Sequence, residues 1–100
     1  MNPIEVIVET TQAIAADSSN VEAYKKRATM LAQMQQFDDA KKDLDELIDV
    51  LHVEEAEILQ LRGSIRMHYG DKEGAIADIK RAMALNPELI KQFEGEFVRK

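Results

Sequence analysis

"GDKEGAIADIKRAMALNP", residues 70–87, is the stretch on which the fold turns. Gly70 breaks whatever helix precedes it, and Asp71 stands where an N-cap side chain accepts the free backbone N–H groups of a first helical turn. Alanines follow at helical spacing, and Asn86-Pro87 stops the pattern. The stretch predicts one amphipathic helix from Lys72 to Leu85. What decides the architecture is whether this helix stands alone or is half of a repeating unit.

Working outward, apolar residues recur with helical period along the chain, and the alternation of a half-buried strand is absent. A first helix is predicted from Pro3 to about Ala16, with Asn2 as its cap and Pro3 at the first helical position. Asp17-Ser18-Ser19-Asn20 closes it. A second helix runs from about Glu22 to Gln35, a third from Phe37 to about Leu51, and a fourth from about Glu55 to Tyr69. Pro87 opens a last helix reaching about Val98, with Leu89, Ile90, Phe93 and Phe97 on one stripe. Connections this short force neighbouring helices into antiparallel hairpins. The fold class is all-α.

Composition agrees. One hundred residues suffice for one small domain with a core. There is no Trp, and only two Tyr and three Phe, so the core must come from Ala, Leu, Ile, Val and Met. Those residues suit close helix–helix contact and make a poor β-sandwich. The formal net charge of −6 argues against nucleic acid, because the only cationic cluster is Lys25-Lys26-Arg27. The absence of cysteine excludes disulfides, thiol catalysis and thiolate zinc sites. No apolar run is long enough to span a membrane, and "MNPIEVIVET" lacks the basic start of a signal peptide, so a cytoplasmic location is the default expectation.

A shift of 35 residues tests self-similarity. Glu22 falls on Glu57, Arg27 on Arg62, Ala28 on Gly63, Ala40 on Ala75 and Asp43 on Asp78. Leu44 falls on Ile79, Ile48 on Met83 and Val50 on Leu85. Charged residues recurring in register are harder to obtain by chance than apolar ones. The period is real.

"LQLRGSIRMHYGDKEGAIADIKRAMALNP" resembles one motif of the tetratricopeptide repeat (TPR) family, a helix–turn–helix of about 34 residues. Leu59 stands at its large position, Gly63 at its small one, Gly70-Asp71 at the turn, Ala75 and Ala82 at the packing alanines, and Pro87 at the end. "EAYKKRATMLAQMQQFDDAKKDLDELIDVL" resembles a second, with Tyr24, Ala28, Phe37 and Ala40 in place. The resemblance implies a single domain of stacked hairpins with about six helices. Residues 1–20 would be a half-repeat helix, 21–55 and 56–87 two motifs, and 88–100 a terminal helix. Two departures mark the first motif: it ends "VLHVEE" instead of Asp-Pro, which predicts an irregular junction near His52, and Leu47 replaces the second packing alanine, which should push the helices apart locally.

Four polar residues form the most specific pattern. Arg27 and Asp43, and likewise Arg62 and Asp78, lie at similar distances on either side of a turn and are expected to meet as intra-hairpin salt bridges. The acids of "DDAKKDLDELID" are spread around a helix, with lysines interleaved, unlike a calcium loop. His52 and His68 have no partners at metal-ligand spacing, and Ser64 lacks a nucleophile context, so no metal, cofactor or catalytic residue is expected.

What the resemblance implies about function is a concave groove lined by the first helix of each repeat. Its residues would be Glu22, Lys25, Lys26, Thr29 and Gln33, then Glu57, Gln60, Leu61, Ser64 and His68. Such a face suits an extended or helical peptide of a protein partner. The family's carboxylate clamp is not matched: Lys25 fits its first lysine, but Thr29 and Leu61 stand in place of its asparagines. The alternative is a spacer or self-association module acting through its ends, with Phe93 and Phe97 as the interface.

Overall fold

A computed structural model of the chain describes residues 2–89. Five α-helices occur among them, α1 (Pro3–Ala16), α2 (Val21–Gln33), α3 (Phe37–Asp45), α4 (Ala56–His68) and α5 (Lys72–Leu85), and no strand. The last predicted helix, with Phe93 and Phe97, lies outside the described residues apart from its first positions. Contacts divide the chain between Val53 and Glu54 into two compact units. In the first, α2 packs on both α1 and α3; in the second, α4 packs on α5.

Local chemistry sets the helix starts. Asn2 and Glu5 form a reciprocal capping box, Glu5 N–H donating to Asn2 Oδ1 at 2.9 Å and Asn2 N–H to Glu5 Oε1 at 3.2 Å. Asn20 caps α2 by accepting from Ala23 N–H at 3.1 Å. Asp71 caps α5 by accepting from Gly74 N–H at 3.0 Å, and a Cβ on Gly74 would collide with that carboxylate. α3 has no side-chain cap; Asp38 and Asp39 instead place negative charge in its first turn, where the helix dipole favours it.

The hairpin turns share one hydrogen-bond design. Gln36 N–H donates to Leu31 O at 2.8 Å, and Asp71 N–H to Arg66 O at 2.8 Å, so each bond closes over a residue in the left-handed conformation. That residue is Gly70 in the second unit, at φ 83°, but Gln35 in the first, at φ 63°. A side chain there is strained against its own carbonyl. Gln35→Gly is therefore expected to raise stability by roughly 0.5–1 kcal/mol, read as a higher urea midpoint at unchanged slope.

The third helix departs from the expected continuous run to Leu51. It is α-helical only to Asp45 and continues as a π-helical turn, Glu46–Val50. Leu47, in the register position that Ala82 holds in α5, is fully buried inside this wider turn. A π turn accommodates one residue more than an α turn. His52 follows in the left-handed region at φ 58°, and Val53 N–H donates back to Leu47 O at 2.8 Å.

Each unit has its own core. The first buries Ala23, Tyr24, Ala28, Leu31, Ala40, Leu44, Leu47 and Ile48. The second buries Ile58, Leu59, Ile65, Ala75, Ile79 and Ala82. α4 and α5 approach closely, since at Gly63 an added Cβ would lie 3.0 Å from Ile79 Cγ1 and 3.3 Å from the Ala75 carbonyl oxygen.

Candidate functional site

The first helix of each hairpin has one buried and one open face. On α2, Ala23, Tyr24, Ala28 and Leu31 are buried, while Glu22, Lys26, Thr29 and Gln33 are exposed at the spacing of a single stripe. Lys25 is half-buried beside it and pairs with Glu22 at 3.6 Å. On α4, Ile58, Leu59, Arg62, Gly63 and Ile65 are buried. Glu57, Ser64 and His68 are exposed on the opposite face, with Gln60 and Leu61 half-buried among them. His68 stands edge-on to Tyr69, ring centroids 5.3 Å apart. Leu61 is the one apolar side chain in this second stripe. It stands at the register position of Lys26 in the first.

The buried side of each stripe is anchored by a bidentate ion pair. Arg27 donates through Nε and Nη2 to the two carboxylate oxygens of Asp43, both at 2.8 Å. Its remaining Nη1 donates to Thr11 Oγ1 of α1 at 3.1 Å. The hydrogen bonds to Asp43, opposed by burial, hold the Arg27 guanidinium above its usual pKa. That guanidinium also lies 5.9 Å from the ring centroid of Tyr24. The Tyr24 hydroxyl donates to Ser18 O at 3.1 Å, and burial raises its pKa above the ordinary phenol value.

In the second hairpin Arg62 repeats the grip on Asp78, with both bonds at 2.9 Å. Here the pair is almost fully withdrawn from water, the side chains being 4% and 2% exposed. A further residue joins it. Arg66 donates through Nη1 to Asp78 Oδ2 at 3.1 Å, so one carboxylate holds two guanidiniums. Arg66 Nε is itself buried without a hydrogen bond and lies 3.7 Å from Asp71 Oδ2. The reading by period passed over Arg66 because Leu31 occupies its place in the first hairpin. The signal was its spacing of four from Arg62, which sets both on one face of α4.

A hollow of about 310 Å³ opens in the first unit between Ile7 and Thr11 of α1, Arg27 and Leu31 of α2, and Asp39 and Lys42 of α3. Its guanidinium is already committed to Asp43 and Thr11, and its rim carries one exposed cation and one exposed anion. That arrangement favours no charged ligand. Among the described residues no group of three or more His, Asp or Glu converges to hold a metal ion. No described helix is long and apolar enough to cross a membrane.

Comparison with known proteins adds one likeness. The chain is 31% identical over 91 residues to tetratricopeptide repeat protein 34 of Mus musculus. This likeness and the helical hairpins of the chain together suggest a TPR-like repeat. The match takes in 86% of this chain but only 16% of the mouse protein. No family model matches the chain, and no solved structure matches it.

Proposed function

We propose that this chain is a TPR-type interaction module that binds protein or peptide ligands without catalysing a reaction. The observation that carries this reading is the division of labour within each hairpin. Buried ion pairs and small residues hold the inward face of α2 and α4, while the outward face keeps a stripe of lysine, amide, hydroxyl and imidazole groups open to solvent. Those groups can pair with a peptide backbone and with side chains of either sign. The Arg–Asp pairs belong to the scaffold in this reading, since their donors and acceptors are spent on one another.

The test is affinity capture from a lysate with the wild-type chain and a Lys26→Glu, Leu61→Arg variant, whose folding is checked by circular dichroism. Both changes sit on the stripes and leave the buried face untouched. A partner held by the wild type and lost by the variant supports the reading. A partner retained by both would refer binding to another surface, and mass that climbs with concentration in the absence of any partner would favour self-association through the ends.

A further inference from the structure

The hollow enclosed by α1, α2 and α3 measures about 310 Å³. That is the small end of the roughly 300–1,000 Å³ typical of ligand pockets, and it suits a molecule the size of one amino acid. Ile7 and Leu31 supply its apolar lining. Its polar groups divide into spent and unspent ones. Arg27 and Asp43 are spent on each other, and their charges cancel.

Thr11, Asp39 and Lys42 are the unspent groups. Thr11 Oγ1 accepts from Arg27 Nη1 at 3.1 Å, which leaves the hydroxyl proton to be given. The neighbouring Thr10 gives its proton back to its own helix, 2.7 Å from the Val6 carbonyl oxygen, but Thr11 gives its own to no described residue. Asp39 and Lys42, both exposed, likewise enter no ion pair and no side-chain hydrogen bond among the described residues. They stand three apart on α3, so an anion and a cation sit side by side on the rim. A ligand with one charge is attracted by one of them and repelled by the other. A molecule with an ammonium and a carboxylate on a single carbon is attracted by both.

We propose that the hollow binds a free α-amino acid with an apolar side chain. Asp39 accepts from the ligand's ammonium, Lys42 and the Thr11 hydroxyl donate to its carboxylate, and its side chain covers Ile7 and Leu31. Glycine would leave the apolar lining bare. An acidic or basic side chain would bring a third charge to a site whose Arg27 and Asp43 are already paired. The lining shares no residue with the stripes on α2 and α4, so binding here is independent of peptide binding there.

The test is titration of the full chain with L-leucine at neutral pH, followed by NMR amide shifts. Saturable shifts grouped at residues 7–11, 27–31 and 39–43 are expected, with a Kd on the order of 1 mM. N-acetyl-leucine lacks the ammonium, leucinamide lacks the carboxylate and glycine lacks the side chain. Each should bind about fivefold more weakly, or worse. In the protein, Asp39→Asn and Lys42→Gln should each weaken leucine binding by about fivefold or more. Both residues are exposed, so neither change threatens the fold. Crossing ligands with variants reads the pairing directly: N-acetyl-leucine should bind Asp39→Asn at least as well as wild type, and leucinamide should do the same with Lys42→Gln. Shifts that do not saturate, shifts confined to other residues, or equal affinity for leucine and glycine would each overturn the proposal. So would leucinamide binding as tightly as leucine, which would assign the hollow to the N-terminal residue of a polypeptide.

Discussion

Replacing Asp78 by alanine is expected to remove about 3–5 kcal/mol of stability. The Asp78 side chain is 2% exposed and receives bonds from two guanidiniums, one of them on a side chain 4% exposed. Its removal takes from the buried Arg62 the carboxylate that it grips with two bonds, and does so beside a second guanidinium, that of Arg66. A domain of this size has only about 5–15 kcal/mol in all. Urea denaturation should therefore show a large fall in midpoint, and amide exchange in α4 and α5 should rise first. Asp43→Ala supplies the internal standard. Arg27 is more exposed, at 21% of its side chain, so water can rehydrate it and the cost should be smaller, about 1–3 kcal/mol. Equal losses from the two substitutions would contradict the account of a doubly engaged, dry carboxylate in the second hairpin.

Gly63→Leu is the second large effect, expected at about 3 kcal/mol or more. A Cβ there already meets Ile79 and the Ala75 carbonyl at the limit of contact, so a whole side chain must part α4 from α5. Separating the helices exposes Leu59 and Ile79 and stretches the Arg62–Asp78 grip with them. Gly63→Ala is the informative comparison. The gain in helix propensity, about 1 kcal/mol, opposes the tight methyl contact, and the net change should be small. Thermal and urea unfolding of both variants measure the difference. Wild-type stability in the leucine variant would show that the two helices do not approach as closely as described.

How much of this could be read from the residues depended on what kind of interaction set each feature. Helix starts were legible at Asn2 and Asp71 because a cap is a local hydrogen bond between residues three apart. The hairpins were legible because Arg, Asp and small residues recur at one spacing, and only an antiparallel pair gives each of them a partner. The π turn at Glu46–Val50 was not, because the choice between α and π pairing is made by how Leu47 fits among its neighbours. Arg66 was hidden for a related reason: a repeat comparison retains what two hairpins share and discards what one adds. The strained turn at Gln35 also escaped, since only the backbone angle distinguishes it from an ordinary polar loop residue. For the outward stripes of α2 and α4, residue type and exposure can be read directly, whereas the ligand's chemistry is written on the other molecule.

α1 and α5 end in nearly the same backbone, φ −150° and ψ 101° at Asp17 against φ −141° and ψ 91° at Asn86, and this common exit geometry makes the chain suitable for splicing. A gene fusion that lets Ser18 follow Asn86 would launch α2 from the end of α5 along nearly the same backbone path that it now takes from α1. The stretch from Ser18 to Asn86 is then a cassette, and tandem copies could be written head to tail without designing a linker. Because the two hairpins differ in their turns and ion pairs, an array built this way would alternate a strained, partly wet hairpin with a relaxed, dry one. Its melting would be stepped by composition instead of by position.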